Sequence, residues 1–66
     1  MHANLKGALA HLNKCWRAFS HKGNPMTKSQ LKAVLEYGIA QGYESTDQLT
    51  DAEIDHVLRT LTKRKG

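Results

Sequence analysis

The side chains of this sequence that most readily do chemistry are four histidines and one cysteine: His2, His11, His21, His56 and Cys15. No two of the histidines are four residues apart, the spacing that would place two metal ligands on adjacent turns of one helix. A single cysteine allows no internal disulfide and cannot form a cysteine-rich zinc site. The sequence therefore predicts neither a bound metal nor a cofactor.

Two other features are typical of catalytic sites. Asp51, Glu53 and Asp55 form a cluster of carboxylates, and paired carboxylates can act as general acid and general base. They also fall in the first turn of a predicted helix, where negative charge complements the helix dipole, and we favour this structural role. Cys15 follows a lysine, which favours the reactive thiolate, but a half-buried cysteine commonly acts as a small hydrophobic residue. We predict that the chain is not an enzyme; redox or catalytic chemistry at Cys15 remains a minor alternative.

Charge is strongly segregated along the chain. Every charged side chain from residue 1 to 35 is basic, every one from 36 to 55 is acidic, and those from 59 to 65 are basic again. Such segregation either steers an anionic partner or lets segments of the fold attract one another. A helical wheel places the basic side chains of the first predicted helix on a stripe opposite its apolar face, and the C-terminal tail adds three more. The candidate surface for a partner or for nucleic acid consists of Lys6, Lys14, Arg17, His21, Lys63, Arg64 and Lys65.

The first helix is predicted from a run of apolar residues spaced three and four apart, which places them on one helical face. Asn4 is the predicted N-cap, and Gly23 with Pro25 ends the helix, so we expect helix over residues 5–21. Trp16 is predicted to be largely buried against the second helix near Gly38, either within the monomer or across a dimer. The apolar face consists of Leu5, Ala8, Leu9, Leu12, Trp16 and Phe19.

The second and third helices are predicted from two capping boxes. Thr27 and Gln30 form the first box, which predicts helix over residues 28–41 with Gly42 as its left-handed end. Thr50 and Glu53 form the second box, which predicts helix over residues 51–62. Gly38 falls on the apolar face of the second helix, where a glycine indicates close approach of another helix.

These elements make one all-α domain, residues 1–66, of three helices joined by short loops, with residues 63–66 as a frayed basic tail. A chain of 66 residues buries only about 60% of the surface of its unfolded form. Trp16 and Phe19 are therefore candidate anchors for an interface. We expect a homodimer that shares part of the apolar face formed by Leu5, Leu9, Leu12, Trp16 and Phe19.

The sequence thus predicts a surface for binding rather than a site for chemistry. Our leading hypothesis is a small non-catalytic protein-interaction or adaptor module, similar in size and style to accessory proteins of bacteria, phages or mobile elements. The alternative is a nucleic-acid-binding protein that uses the basic stripe and the C-terminal tail. No apolar run approaches the roughly 20 residues of a membrane span, so we expect no membrane partner and a cytoplasmic location.

Overall fold

The computed structural model describes residues 4–65, and their side chains from residue 4 to 62. The described chain is mostly helical, as predicted, but it contains four α-helices and a two-stranded antiparallel sheet rather than three helices. Short 3₁₀ turns lie at Trp16–Ala18 and Thr46–Gln48. The elements are α1 (Leu5–Ala10), α2 (Leu12–Cys15), β1 (Ser20–His21), β2 (Asn24–Pro25), α3 (Lys28–Ala40) and α4 (Asp51–Lys65).

The first predicted helix does not run continuously to residue 21. It breaks at His11, whose φ of −110° and ψ of 24° end α1, and its last helical turn closes at Ala18. Lys22 and Gly23 then take φ values of 54° and 81°, as in the type I′ turns that join tight hairpins. His21 pairs with Asn24 in that hairpin. The prediction of helix over residues 5–21 was therefore wrong at its C-terminal end, because the backbone pairs across the turn instead of continuing the helix.

The other two helices begin where the capping boxes predicted. Thr27 Oγ1 accepts from the backbone N–H of Gln30 at 3.1 Å, and Gln30 Oε1 accepts from that of Thr27 at 3.0 Å. Thr50 and Glu53 make the same reciprocal pair at 3.2 and 2.9 Å. α3 ends at Ala40, one residue before the predicted end, and Gly42 has the expected positive φ of 87°.

α4 extends past its predicted end at residue 62 and continues to Lys65. No glycine or proline interrupts the sequence between Asp51 and Gly66, so no helix-breaking residue ends α4 earlier. The side chains of residues 63–65 and all of Gly66 lie outside the described part of the chain. The fraying predicted for residues 63–66 therefore stays a prediction. No helix among residues 4–65 combines the length and the apolar character that crossing a membrane requires.

Leu5, Leu31 and Leu35 are the most deeply buried large side chains. A Cβ atom at Gly38 would lie 2.8 Å from Leu5 Cδ1, which confirms that this glycine permits close approach of another helix. The approaching residue is Leu5 of α1 and not Trp16, which is half-buried against the edge of the core. The buried core consists of Leu5, Ala8, Leu12, Met26, Leu31, Val34, Leu35, Leu49 and Val57.

The N-terminus of α1 is held against the loop that follows α3. Leu5 donates its backbone N–H to the carbonyl of Glu44 at 2.8 Å, and Asn4 forms an isolated antiparallel bridge with Ser45. Asn4 also caps α1, since its Oδ1 accepts from the backbone N–H of Gly7 at 2.9 Å. α1 and α2 therefore run along α3, with Leu5 beside Gly38 near the C-terminal end of that helix and Asn13 beside Lys28 at its N-terminal end.

Candidate functional site

His21 lies where the hairpin meets the first turns of α4. It is only 9% exposed, and its Nε2 is 2.9 Å from Asp55 Oδ1. An ionised carboxylate only accepts hydrogen bonds, so Nε2 carries the proton and donates it. Lys22 Nζ donates to the second oxygen of Asp55 at 2.9 Å. The hairpin thus engages both carboxylate oxygens of Asp55 with two neighbouring residues.

The electrostatics of this cluster follow from the same contacts. The hydrogen bond from Lys22, and after it the bond from His21, hold the pKa of Asp55 below its ordinary value. The bond to Asp55 in turn raises the pKa of Lys22. Lys22 and Asp55 thus each favour the charged form of the other.

His21 lies between two carboxylates of α4. Its Nδ1 is 3.8 Å from Asp51 Oδ1 and its Nε2 is bonded to Asp55, so each ring nitrogen faces a carboxylate. Nε2 is hydrogen-bonded to Asp55, whereas the distance from Nδ1 to Asp51 is too long for a hydrogen bond. His21 also does not lie on the exposed basic stripe of the first helix, because the chain turns into the hairpin at Ser20.

A second polar pair joins the loop after α3 to α4. Tyr43 donates its hydroxyl proton to Glu53 Oε2 at 2.6 Å, while Glu53 Oε1 accepts from the backbone N–H of Thr50. The hydrogen bond from Tyr43 is the main cause that lowers the pKa of Glu53, and the same bond raises the pKa of Tyr43. Two of the three clustered carboxylates, Glu53 and Asp55, therefore hold the fold together. Asp51 is 77% exposed.

The remaining described residues of the basic stripe are exposed. Lys6, Lys14 and Arg17 lie at the surface, and none of them takes part in the ion pairs of the described side chains. The guanidinium of Arg17 is 5.3 Å from the ring centroid of Trp16, a cation–π distance. The stripe is not one continuous helical face, because the helix breaks at His11. The side chains of Lys63, Arg64 and Lys65 lie outside the described residues.

The two candidate interface anchors are both packed against the core. Trp16 and Phe19 are half-buried rather than exposed. Cys15, beside Trp16, is half-buried as well, and its thiol contacts the carbonyl oxygen of Ala8 at 3.6 Å. These contacts give all three side chains a structural role in the monomer.

The sequence reasoning did not single out a groove between α1–α2 and α3. Lys28, Lys32 and Glu36 stand on its α3 side, and Lys28 Nζ donates to Asn13 Oδ1 across it at 2.8 Å. In the sequence, the charged wall of this groove is visible as Lys28, Lys32 and Glu36, which are spaced four residues apart on one helix. It was not recognised because the interpretation centred on the first helix.

Metal binding and known relatives give no further assignment. In the part of the chain that the structure describes, no three His, Cys, Asp or Glu side chains are grouped to hold a metal ion. Comparison of the chain with family models, with curated proteins and with solved structures finds no match.

Proposed function

We propose that this protein is a small non-catalytic interaction module that binds an acidic protein surface through Lys6, Lys14 and Arg17. One observation carries the proposal: these three cations are exposed and have no carboxylate partner among the described side chains. An unpaired basic surface raises the local concentration of an anionic partner and speeds its association.

The hydrogen bonds made by the acidic residues of α4 support the same proposal. Asp55 accepts hydrogen bonds from His21 and Lys22. Glu53 accepts hydrogen bonds from Tyr43 and Thr50. Two of the three carboxylates in the first turns of α4 are thereby held by contacts other than the basic residues of α1 and α2, while Asp51 is exposed. The net formal charge of +4 is therefore presented mainly by the N-terminal half.

The arrangement of polar groups favours binding over catalysis. A nucleophile needs a base within hydrogen-bond reach. Among the described side chains, the polar partners of the buried His21 are the carboxylates of Asp55 and Asp51 rather than a Ser, Thr or Cys. We place the protein in the cytoplasm as part of the same proposal, since a free Cys15 suits a reducing compartment.

The proposal is tested by the binding of a fluorescently labelled poly-glutamate peptide, followed by anisotropy at low and at physiological salt. The variant K14Q/R17Q is compared with the matched variant K32Q/R59Q, which also removes two positive charges from exposed positions. We expect K14Q/R17Q to weaken binding about tenfold and K32Q/R59Q to weaken it much less. Equal losses in the two variants would mean that only net charge matters and would contradict the assignment of the surface.

A second candidate function, nucleic-acid binding, is favoured by the contact between Arg17 and Trp16. A half-buried Trp beside an Arg side chain offers a ring for base stacking together with a cation for a phosphate. Mixed-sequence DNA and RNA, titrated at two salt concentrations, test this candidate. Binding that is tighter than that of poly-glutamate, and that weakens steeply with salt, would replace the protein partner by a nucleic acid.

A further inference from the structure

The groove between α1–α2 and α3 has an apolar floor and one charged wall. Its floor is formed by Leu9, Ala10 and Leu12, of which Ala10 is exposed and Leu9 is half-buried. The charged wall is the outer face of α3. Three exposed side chains stand on it one turn apart: Lys28, Lys32 and Glu36.

The order of these charges is base, base, acid. Residues 28 and 36 are eight apart, so they lie about 12 Å from each other along the helix axis. If a second α3 approaches in the antiparallel direction with its two-fold axis at Lys32, Lys28 of each copy faces Glu36 of the other. The charged wall is thus complementary to itself at both ends, as an isologous contact requires.

We infer that this groove is the contact surface for a second copy of the chain, with α3 packed antiparallel on α3 of the partner copy. Each α3 wall enters the groove of the other copy, in the manner in which helices pack ridges into grooves. Two Lys28–Glu36 ion pairs flank the axis, and the two Lys32 side chains meet near it. This inference goes beyond the proposed function, because it uses a surface other than Lys6, Lys14 and Arg17.

The internal pairing of the protein favours this occupant over a head-to-tail contact. Among the acids in the first turns of α4, both oxygens of Asp55 are held by His21 and Lys22, and the exposed Asp51 lies 3.8 Å from His21 Nδ1. Glu36, by contrast, is exposed and has no ion-pair partner among the described side chains. It is the acid that a second copy brings to the same wall.

The burial pattern also corrects the dimer that the sequence suggested. Leu5 is fully buried and Leu12 is 9% exposed within one chain, so neither can be shared between copies as expected. Of the predicted apolar face, Leu9 and Leu12 line the groove, and of these two Leu9 is the half-buried one. The self-association surface therefore moves from that face to α3.

Charge reversal tests the inference by sedimentation equilibrium over a wide range of concentration. K28E places Glu opposite Glu36 in both pairs, and E36K places Lys opposite Lys28, so each variant should raise the dimer dissociation constant at least about tenfold. An equimolar mixture of the two variants should form a heterodimer, because both pairs are then attractive. The double variant K28E/E36K should dimerise like the natural chain.

Two further variants separate this contact from other effects. N13A removes the internal partner of Lys28 but keeps its charge, so it should leave dimerisation intact. K32Q removes the like-charge contact at the axis, so it should strengthen the dimer. If the groove instead bound an acidic protein or a nucleic acid, the loss of positive charge in K32Q would weaken that binding.

Three results would overturn the inference: a natural chain that is monomeric throughout, a mixture of K28E and E36K that remains monomeric, or a K32Q dimer that is weaker than the natural one. None of them bears on the proposed function, since poly-glutamate binding by Lys14 and Arg17 is measured separately and at concentrations where the chain is monomeric.

Discussion

His21 and Asp55 are 34 residues apart in the chain, and a 2.9 Å hydrogen bond joins the Nε2 of the one to the carboxylate of the other. This contact fastens the hairpin to α4. It also removes from the surface a histidine that the sequence placed on a basic stripe. The bond therefore links the architecture of the protein to the residues that remain available for a partner.

The H21A variant should lower the free energy of unfolding by about 2 kcal/mol, because a buried ring and its hydrogen bond are lost together. H11A is the control, since His11 is exposed, and it should change the free energy by less than about 0.5 kcal/mol. Urea melts of both variants measure the difference. Equal midpoints for the two variants would show that the hairpin is not held by His21.

The pKa shifts predict that stability falls at both ends of the pH scale. The folded state lowers the pKa of Asp55 and Glu53, so their contribution is present above the unfolded values near pH 4 and is lost as pH falls through the folded ones. It raises the pKa of Lys22 and Tyr43, so their contribution is present below about pH 10 and is lost above it.

Thermal melts across the pH range measure this dependence, and D55N provides the comparison. This variant cannot titrate at position 55. Its free energy of unfolding should therefore change less than that of the natural chain between about pH 5 and about pH 2, the range in which the carboxyl groups take up protons. A natural chain and a D55N variant with the same acid dependence would exclude Asp55 as a source of it.

The contact between Leu5 and Gly38 predicts coupling between two substitutions. G38A gains helix propensity of up to about 1 kcal/mol, but its Cβ would lie 2.8 Å from a fully buried methyl group of Leu5. We expect a net loss of about 1–2 kcal/mol from overpacking. L5A should cost about 2–5 kcal/mol alone and less in the G38A background.

A double-mutant cycle of L5A and G38A, followed by urea melts, measures this coupling. The cavity left by L5A relieves the crowding from Ala at position 38, so the two losses should not add. Strict additivity would mean that α1 and α3 adjust independently at this point.

The two capping boxes predict a matched pair of losses. Thr27→Ala and Thr50→Ala each remove an oxygen that accepts from the backbone N–H of the third helical residue, and each should cost about 1 kcal/mol. Denaturant melts provide the measurement. Unchanged midpoints in both variants would contradict the role of these residues as caps.

The parts of the fold that depend on local chemistry were predictable from the sequence. The caps at Asn4, Thr27 and Thr50 involve residues three positions apart, and the glycine at 42 ends α3 through its own backbone freedom. The requirement for a glycine at 38 was also visible from its place on an apolar face.

The hairpin and its contact were not predictable in the same way. Trp16 and Phe19 continue the helical spacing of the first apolar face, so the pattern itself favoured a longer helix. A short turn at Lys22 and Gly23 interrupts that pattern, and the hairpin places His21 against Asp55. Such a long-range contact leaves no periodic signal in the sequence. For that reason the sequence placed His21 on the basic surface, whereas the structure buries it.

We propose that Lys14 and Arg17 belong to a binding surface for an acidic protein partner. The dissociation constant of labelled poly-glutamate is measured for the natural chain, for K14Q/R17Q and for K32Q/R59Q at one ionic strength. We expect K14Q/R17Q to weaken binding about tenfold and K32Q/R59Q to change it little. Equal dissociation constants for the two variants, or no binding by the natural chain at low salt, would contradict it.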